Sequence, residues 1–481
     1  MPDQPSRPAA ALIDVAARTD EMLSGAPEAV DLGRRFAAAG HELALVGGSV
    51  RDVLLGRAGH DLDFATSAHP DAAEALLAEW ADVTWDVGRA FGTIGARRGD
   101  THVEITTYRA EAYDPESRKP EVKFGDTLDG DLLRRDFTIN AMAVRLPDRT
   151  FVDPFHGLVD LAAALIRTPG RPEDSFSDDP LRMLRAARFA AQLGFEVAPD
   201  VVAAMNVMAE RIAIVSAERI RDELSKLVCG GEPRRGLALL VDTGLAEFVL
   251  PELPALRLEI DEHHRHKDVY EHTLTVLDQS IDLEDGPPDL VLRWAALLHD
   301  IGKPRTRAFE SGGGVSFHHH EMVGARMTTK RLKALRYPSA VVTDTARLVE
   351  LHLRFHGYAE GEWSDSAVRR YVRDAGDLLP RLHRLTRADC TTRNRRKAAA
   401  LSQAYDDLEA RIDRLAQEEE LAVIRPDLDG NQIMAVLGIG PGRDVGQAWQ
   451  FLLELRLDRG PMSEAAAAEA LRTWWSARHP D

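Results

Sequence analysis

A change of periodicity near residue 178 constrains the fold of this chain more than any other sequence feature. Between about His41 and Pro169, short segments rich in strand-forming residues alternate with turns; they read ELALVG, HDLDFAT, GTIGAR, THVEITTYR and FTINAMAVRL. From about Asp178 onward, apolar residues recur three and four positions apart, which is the period of a helix, and no further strand is expected. The pattern predicts an α+β head followed by a long all-helical body.

Length and composition narrow the class of protein. A chain of 481 residues exceeds one ordinary domain and predicts two to four. Its 44% hydrophobic and 29% charged residues are typical of a soluble protein, and the longest apolar runs are far too short to cross a membrane. The N-terminal residues lack the basic start and apolar core of a secretory signal. Cys229 and Cys390 have no CxxC spacing, which favours thiols in a reducing cytoplasm. We therefore expect a cytoplasmic protein without membrane contact. The sequence does not predict its oligomeric state.

The predicted head contains a pair of closely spaced carboxylates. Asp61 and Asp63 lie on one predicted strand and, because side chains alternate along a strand, are expected on the same face. Two like charges this close repel each other unless a cation lies between them. A pair of Mg²⁺ ions about 3.5–4 Å apart would serve, and it suits in-line phosphoryl chemistry. Glu104, on another predicted strand, is a candidate third carboxylate.

A glycine turn precedes the carboxylates. Gly47, Gly48 and Ser49 follow a predicted strand and open a predicted helix. Glycines let backbone N–H groups approach a triphosphate, and the start of a helix favours anions. Arg51, on the first helical turn, can add a cation. Each feature alone is common in structural turns, but together they predict a metal and triphosphate site.

Three motifs carry a family resemblance. The stretches GGSVRD, DLDF and RRDFTINAMA closely resemble the class II CCA-adding tRNA nucleotidyltransferases and their bacterial poly(A) polymerase relatives. These enzymes have a polymerase-β-like nucleotidyltransferase head. The resemblance implies that Asp61 and Asp63 are the catalytic, metal-binding carboxylates. It implies that Gly48 and Arg51 contact the incoming nucleotide. It also implies that Arg135, Asp136 and Asn140 contact its ribose and phosphates. The polar segment Tyr108–Asp126 matches the flexible loop of the family, expected to close on substrate.

A row of arginines follows the head. In DDPLRMLRAARF, Arg182, Arg185 and Arg188 are three apart on a predicted helix, with Asp179 three before Arg182. A surface helix with ion pairs is the ordinary explanation. In the family, however, the equivalent helix usually begins Glu-Asp and carries the nucleobase-selecting residues. This chain has Asp178 in place of the usual Glu.

The chemistry of the two bases supports that assignment. Cytosine and adenine each present a ring-nitrogen acceptor beside an amino donor, whereas guanine and uracil present the reverse polarity. Arginine only donates hydrogen bonds and ionised aspartate only accepts them, so one Arg–Asp pair matches both C and A. The wrong bases would leave groups unpaired, at about 1–3 kcal/mol each. We predict that Asp179 and Arg182 read the base with support from Arg185 and Arg188. The family motif at Glu218–Leu227 is predicted to brace this neck.

A second candidate site lies in the helical body. Histidines and aspartates from several predicted helices can together bind a divalent ion. The candidates are His272, His299, Asp300, His320, His352 and Asp389. The run His318–His320 leaves its ligand open, although the HxxxGA spacing favours His320. The ordered set, with LLHDIGKP, resembles the HD phosphohydrolase domain. That resemblance implies hydrolysis of 2′,3′-cyclic phosphates or phosphomonoesters with Ni²⁺, Mg²⁺ or another metal, and leaves the activity of this copy open.

Charge leaves one further question open. The net charge of −18 argues mildly against a sequence-blind coat for nucleic acid but permits a local basic groove. The stretch Arg381–Lys397 holds seven Arg or Lys residues and one Asp, which fits either a solvated helix face or a phosphate-contacting stripe.

The expected organisation combines these parts. The predicted domains are an N-terminal extension (1–30), a nucleotidyltransferase head (31–169), a helical neck with the nucleobase-selecting helix (170–258), an HD-type helical domain (259–395) and a helical tail (396–481). The tail motif at Arg425–Gln447 resembles the family's C-terminal region and is expected to hold the acceptor–T arm of tRNA.

The predicted reaction is template-independent addition of C, C and A from CTP and ATP to the 3′ end of tRNA, with two Mg²⁺ ions in the head and release of pyrophosphate. One alternative is a poly(A) polymerase or a relative that adds only A or only CC. Others are an HD metal-dependent phosphohydrolase whose head merely binds nucleotide, and an RNA-binding sensor without activity.

Overall fold

The computed structural model describes residues 14–57, 61–112, 121–125, 127–258, 268–309, 315–355, 358, 363–392, 394–419 and 425–479. The chain divides into two compact units on either side of the bond between Pro251 and Glu252. The predicted order, an α+β head followed by a helical body, is confirmed. Among the helices in the described ranges, none is long and apolar enough to cross a membrane.

The head of the first unit combines short helices with a seven-stranded sheet. Its helices are α1 (Val15–Gly25), α2 (Pro27–Ala38), α3 (Gly48–Leu54), α4 (Pro70–Ala78), α5 (Leu128–Leu133) and α6 (Gly157–Ala162). Its strands are β1 (Leu43–Val46), β2 (Asp61–Thr66), β3 (Val83–Trp85), β4 (Thr93–Arg98), β5 (Thr101–Thr107), β6 (Arg109–Ala112), β7 (Glu121–Phe124), β8 (Ala143–Leu146), β9 (Thr150–Val152) and β10 (Leu165–Ile166). Each of the five segments predicted as strands contains a strand, in order β1, β2, β4, β5 and β8, but FTINAMAVRL begins with the 3₁₀ turn Thr138–Asn140.

The sheet places two candidate site strands side by side. Its strand order is β3-β4-β5-β2-β1-β8-β9, and β2 pairs with β5 in parallel while the other pairs are antiparallel. One face of the β2–β5 pair packs into the core through Leu62 and Phe64 on β2 and Val103 and Ile105 on β5, all buried. The alternate residues of both strands therefore lie on the opposite face.

The neck follows the head as a set of helices. These are α7 (Pro172–Asp178), α8 (Leu181–Leu193), α9 (Pro199–Met208), α10 (Ala217–Val228), α11 (Pro233–Asp242) and α12 (Ala246–Val249). Asp179 does not continue a helix into α8 but is extended, with φ −141° and ψ 100°. The reason is local: the ring of Pro180 disfavours helical backbone at the residue before it. The arginine helix therefore begins after Asp179 instead of including it.

The second unit is built mainly of helices. They are α13 (Val269–Asp282), α14 (Leu290–Leu298), α15 (Lys303–Thr306), α16 (His320–Ala334), α17 (Ser339–Leu351), α18 (Asp365–Ala375), α19 (Leu379–Asp389), α20 (Arg395–Glu419), α21 (Gly430–Leu437), α22 (Arg443–Arg459) and α23 (Glu464–Arg478). A separate apolar core joins α21, α22 and α23 around Ile433, Leu452 and Leu471.

The expectation of no strand beyond Asp178 is wrong in two places. β11 (Glu196–Val197) pairs in parallel with β10, and β12 (Ala308–Phe309) pairs with β13 (Val315–Ser316). Each of these strands has two residues, too few for an alternating pattern to register in the sequence.

Candidate functional site

The carboxylates of the head lie on adjacent strands. Asp63 on β2 is directly opposite Glu104 on β5, and both side chains are exposed on the face of the sheet away from the core. The backbone N–H of Asp63 donates to Ser49 Oγ at 3.2 Å, which ties the start of α3 to this strand. Asp61 lies on β2 opposite His102, and its side chain is outside the described part of the structure. Divalent cations such as Mg²⁺ are bound by carboxylate oxygens of this kind.

The glycine turn lies between β1 and α3. Gly47 has φ 72° and ψ −133°, backbone that residues with a side chain rarely adopt. A Cβ at this position would approach Arg135 Nη1 to 2.8 Å, whereas one at Gly48 would meet only Arg51 Nη2 at 3.6 Å. The turn thus needs a glycine at position 47 mainly for its backbone, and a side chain there would also displace the end of Arg135.

We expect Gly47→Ala to lower the free energy of unfolding by about 1–3 kcal/mol, because of the strained backbone and the forced displacement of Arg135. Gly48→Ala is the matched control. Gly48 is at the first position of α3 with an uncrowded Cβ direction, so its variant should match the parent to within about 1 kcal/mol. Urea unfolding of the three proteins measures the difference; equal losses for both variants would contradict this explanation of the turn.

Four predicted nucleotide-site residues form one buried chain of polar contacts. Arg51 donates from Nη1 to Asn140 Oδ1 at 2.6 Å and holds Asp52 with its other two nitrogens, at 2.9 and 2.8 Å. Asn140 Nδ2 donates to Asp136 Oδ1 at 2.9 Å. Asp136 Oδ2 pairs with Arg185 Nη2 at 2.8 Å. Asp136 and Asn140 are thus brought together across the short 3₁₀ turn Thr138–Asn140.

The contacts around Asp136 fix the charge of its carboxyl group. Burial by itself would raise the pKa of Asp136, but the Arg185 guanidinium and the hydrogen bond from Asn140 lower it below its usual range. Asp136 is therefore ionised at neutral pH. The charged Asp136, bonded to Asn140 and paired with Arg185, holds Asn140 and, through it, Arg51 in fixed orientations.

Phe189 and Glu223 are two site residues that sequence reasoning missed. The guanidinium carbons of Arg51, Arg185 and Arg188 lie 5.1, 5.9 and 4.1 Å from the centre of the buried Phe189 ring. Glu223, on α10, pairs with Arg188 at 3.0 Å. A signal for Glu223 was present, since it is a carboxylate on the apolar face of α10, where burial requires a partner.

Asp179 and Arg182, the two residues predicted to read the base, form hydrogen bonds with other residues in this structure. Asp179 Oδ2 accepts from Arg219 at 2.7 Å. The buried Arg182 donates to Ser175 Oγ at 2.8 Å and to the carbonyl oxygen of Arg134. None of these bonds joins the two residues to each other. Arg219 was not predicted, although it lies in the motif Glu218–Leu227, which was assigned a bracing role.

The candidate HD residues converge inside the second unit. His272 comes from α13, His299 and Asp300 follow α14, His320 opens α16, His352 follows α17 and Asp389 ends α19. They form two groups of possible metal ligands, His272 with His299 and Asp389, and Asp300 with His320 and His352. Of the histidine run, His320 is buried in the cluster, whereas His318 and His319 are exposed.

The pKa values of two histidines in the cluster are moved in opposite directions. Burial alone would lower the pKa of His299, but the adjacent Asp300 carboxylate outweighs it and raises the pKa to about 9. Burial lowers the pKa of His352 to about 3, so this imidazole is neutral at pH 7, the form that binds a metal. His352 Nε2 is buried without a hydrogen-bond partner among the described residues, whereas His320 Nε2 lies 3.2 Å from Asp300 Oδ1. An unpartnered imidazole nitrogen beside a carboxylate fits a divalent cation.

The basic stretch of the second unit is neutralised over its first part. Arg381 pairs with Asp289 at 2.7 Å and Arg384 with Asp285 at 2.6 Å. Arg387 contacts Asp406 at 2.8 Å. These arginines favour the solvated, ion-paired helix face over a phosphate-contacting stripe. The exposed side chains of Arg395–Lys397 carry no such contact among the described residues.

Much of the expected flexible loop, residues 113–120 and 126, lies outside the described residues. Its flanks form the antiparallel strands β6 and β7.

Three protein-family models match successive parts of the chain. The poly A polymerase head domain matches residues 43–167, and the probable RNA and SrmB-binding site of polymerase A matches residues 194–256. The HD domain matches residues 269–394, the range that contains all six clustered ligands.

Curated relatives agree with these domains. The A-adding tRNA nucleotidyltransferase of Deinococcus radiodurans is 36% identical over 91% of this chain and 96% of that protein. The CCA-adding enzymes of Levilactobacillus brevis and Geobacillus thermodenitrificans are 44% and 38% identical, over 44% and 59% of this chain. The matched region spans only 52% and 65% of those two enzymes.

Solved structures share the fold along most of the chain. The Bacillus stearothermophilus CCA-adding enzyme in complex with CTP has a TM-score of 0.69 at 25% identity, covering 94% of this chain and 98% of that one. The Thermotoga maritima CCA-adding enzyme has a TM-score of 0.61 at 18% identity, covering 96% and 98%. With an A-adding relative matched over nearly its whole length and these domains in order, the chain belongs to the tRNA nucleotidyltransferase family that includes the CCA-adding and A-adding enzymes.

Proposed function

We propose that this protein adds C, C and A from CTP and ATP to the 3′ end of tRNA in the cytoplasm, without a nucleic-acid template. The observation that carries the proposal is the register of Asp63 opposite Glu104 on one face of the head sheet, next to the Gly47 turn. This arrangement puts carboxylates for cations beside backbone suited to a triphosphate. The tRNA substrate follows from membership of the family.

In the proposed reaction, the 3′ hydroxyl of tRNA attacks the α-phosphorus of the incoming nucleotide. The O3′–Pα bond forms, the bond from Pα to the bridging oxygen breaks, and pyrophosphate leaves while the hydroxyl proton is lost. Asp61, Asp63 and Glu104 would hold two Mg²⁺ ions, which when bound lower the pKa of the hydroxyl and neutralise the leaving group. Gly47, Gly48 and Ser49 would bind the triphosphate.

The buried polar chain would fix the sugar and phosphates. Asp136 and Asn140, together with Arg135, would contact the ribose and phosphates, and the ionised Asp136 keeps Asn140 and Arg51 oriented. Phe189 supports three arginine side chains around the same place. The nucleotide would therefore meet a preformed set of donors, which lowers the ordering cost of binding.

Base selection would require Asp179 and Arg182 to exchange partners. In the proposal, Asp179 leaves Arg219 and Arg182 leaves Ser175 as a base enters, and the pair then matches the amino donor and ring acceptor of C or A. Arg185 and Arg188 would support the base or its phosphates. Because both bases present the same polarity, one pair suffices for two nucleotides.

The test uses the purified chain, Mg²⁺ and a tRNA transcript lacking its last three nucleotides. With CTP and ATP together, the expected product is three nucleotides longer and does not extend further, and one pyrophosphate is released per nucleotide. A long A tail would instead identify a poly(A) polymerase. Absence of any incorporation, with metal-dependent phosphate release, would overturn the proposal in favour of a phosphohydrolase.

A relative that adds only the terminal A is the second candidate, because the curated relative matched over 96% of its length is an A-adding enzyme. It predicts that CTP is not used at all. The buried His–Asp cluster favours a further, separate activity of the HD domain as a metal-dependent phosphohydrolase, with Ni²⁺ or Mg²⁺ as candidate ions.

A further inference from the structure

We propose that Trp85 binds the end of the tRNA primer: its indole ring stacks on the base of the last tRNA nucleotide and thereby holds the 3′ hydroxyl beside the carboxylates of the head. This inference rests on the proposed nucleotidyl transfer and adds a contact for its second substrate. The contact lies on the open face of the seven-stranded sheet, on the side of Glu104 that faces away from the glycine turn.

Trp85 is in register with the carboxylate pair. On β3 it is directly opposite Gly95 of β4. Gly95 is opposite Glu104 on β5, which in turn is opposite Asp63 on β2. Side chains that are directly opposite each other across neighbouring strands lie on the same face of a sheet. These four residues therefore form one row on the open face, with the tryptophan at one end and Asp63 at the other.

The indole ring covers Gly95. A Cβ at Gly95 would lie 2.1 Å from Trp85 Cε2 and Nε1 and 2.6 Å from Cζ2, so only glycine leaves room for the ring. Adjacent strands are about 4.8 Å apart, which puts the ring about one strand spacing from the strand that carries Glu104. Trp85 remains partly exposed in this position. The row thus presents an accessible aromatic surface close to the third carboxylate.

The triphosphate site lies on the other side of the carboxylates. The glycine turn follows β1, which borders β2 on the side opposite β5. Ser49 of this turn accepts a hydrogen bond from the backbone N–H of Asp63 at 3.2 Å. An in-line displacement brings the attacking oxygen in opposite to the leaving group. With pyrophosphate on the side of the turn, the 3′ hydroxyl arrives over Glu104, from the direction of β4 and β3.

The contacts assigned to the incoming nucleotide are all on the turn side. Arg51 of α3 bonds to Asn140, which precedes β8, the other neighbour of β1. Asp136 pairs with Arg185 of the neck. Trp85 is three strands from Asp63 in the opposite direction. The incoming base and the indole ring are therefore on opposite sides of the carboxylates, which leaves the ring available to the primer.

A cationic side chain and a second ring flank the indole. Arg97 on β4 is opposite His102 on β5, in the row next to Gly95 and Glu104, and both side chains are exposed. The rings of His102 and Trp85 are 6.1 Å apart, at 51° to each other. Proteins that bind single-stranded nucleic acid combine cations along the phosphates with aromatic rings that stack on the bases. The surroundings of Trp85 therefore fit the single-stranded 3′ end of a tRNA.

The ordinary explanation of Trp85 is packing at the edge of a sheet. That explanation predicts a loss of stability on substitution, with equal effects on both substrates. Primer stacking predicts instead a higher KM for tRNA and an unchanged KM for the nucleotide. The two explanations are separated by measuring both constants in folded variants.

The experiment follows addition of A from ATP to a tRNA ending in CC, a reaction that the CCA-adding, A-adding and poly(A)-adding candidates share. Trp85→Ala should raise KM for this tRNA about 10-fold, as expected for the loss of one base stack, and leave KM for ATP within about twofold of the parent. Trp85→Phe keeps a ring that can stack and should restore most of the affinity. Val83→Ala is the matched control, because Val83 is exposed on the same strand and the same face but has no ring.

A tRNA whose last nucleotide lacks its base tests the contact itself. Removal of this base should raise the KM of the parent for tRNA, and the rise should be about 10-fold smaller in Trp85→Ala, because one stack cannot be lost twice. Circular dichroism checks that each variant is folded. If Trp85→Ala does not fold, Trp85→Leu takes its place, since leucine keeps apolar bulk but cannot stack.

The outcomes separate this inference from the proposed function. A parent-like KM for tRNA in the folded variant, an equal effect of base removal in parent and variant, or a rise in KM for ATP alone would overturn the role of Trp85 and leave nucleotidyl transfer intact. Absence of any incorporation by the parent would overturn the proposed function itself and, with it, this inference.

Discussion

Asp63→Asn is expected to abolish incorporation of both C and A, with a fall in kcat/KM of at least about 10³-fold, equivalent to ~4 kcal/mol. The substitution keeps the shape of the side chain but removes a negative charge from the pair with Glu104. A neutral amide oxygen is a weaker ligand for Mg²⁺ than a carboxylate oxygen. The substitution would therefore weaken binding of the ions that stabilise the transferring phosphorus. The measurement is the rate of labelled CTP and ATP incorporation into tRNA.

Asp100→Asn provides the control for that prediction. Asp100 is an exposed carboxylate at the turn between β4 and β5, in the same sheet but away from the Asp63–Glu104 pair. Its variant should retain the parent rate, and both variants should unfold at the parent temperature because Asp63 is exposed. Equal activity of the Asp63 variant and the parent would show that the carboxylates have no part in the mechanism.

Arg182→Ala is expected to lower kcat/KM about 100-fold for CTP and by the same factor for ATP. The reason is that either base loses a charged hydrogen-bond donor at a buried position. A role in base reading predicts that the loss falls equally on C and A and that discrimination against GTP and UTP weakens. The measurement is kcat/KM for each of the four nucleotides. A parent-like preference for C and A in a folded, active variant would exclude the base-reading role.

Arg211→Ala separates base reading from support of α7. Arg211 Nη2 donates to the carbonyl oxygen of Ser177 on α7 at 3.1 Å, so it also holds this helix, as Arg182 does through Ser175. If Arg182 acts only by holding α7, the two variants should lose activity alike and keep the same nucleotide preference. The proposal predicts that only the Arg182 variant changes preference.

Short-range patterns predicted the head well. The alternation along β2 agrees with the burial of Leu62 and Phe64 and the exposure of Asp63 between them. The glycine pair correctly marked the turn between β1 and α3. These features depend on the period of a strand and on backbone conformation at glycine, which are both local.

Contacts between distant parts of the chain could not be predicted in the same way. The sequence left open whether Arg381 and Arg384 belong to a phosphate-contacting stripe, because their partners, Asp289 and Asp285, lie more than ninety residues earlier. The pairing of Asp179 with Arg219 joins residues forty apart. Charge along a segment does not reveal which charges the fold brings opposite it.

The Asp179–Pro180 break is a different case, because the sequence contained the signal. A residue before proline is disfavoured in helix, so Asp179 could have been placed outside the arginine helix from the start. The histidine run was resolved by burial instead: only His320 of the three is buried. A spacing motif indicated the same residue, but the two neighbouring imidazoles are chemically identical to it.

Addition of C as well as A is the central claim, and one measurement tests it most directly. The ratio of kcat/KM for CTP on a tRNA ending at the discriminator base to that for ATP on a tRNA ending in CC compares the two reactions in one enzyme. If the Asp179–Arg182 pair reads both bases, this ratio should lie within about tenfold of one. That range corresponds to a difference below ~1.4 kcal/mol between the activation free energies of the two reactions. CTP use at background level beside efficient A addition would contradict the claim and identify an A-adding enzyme.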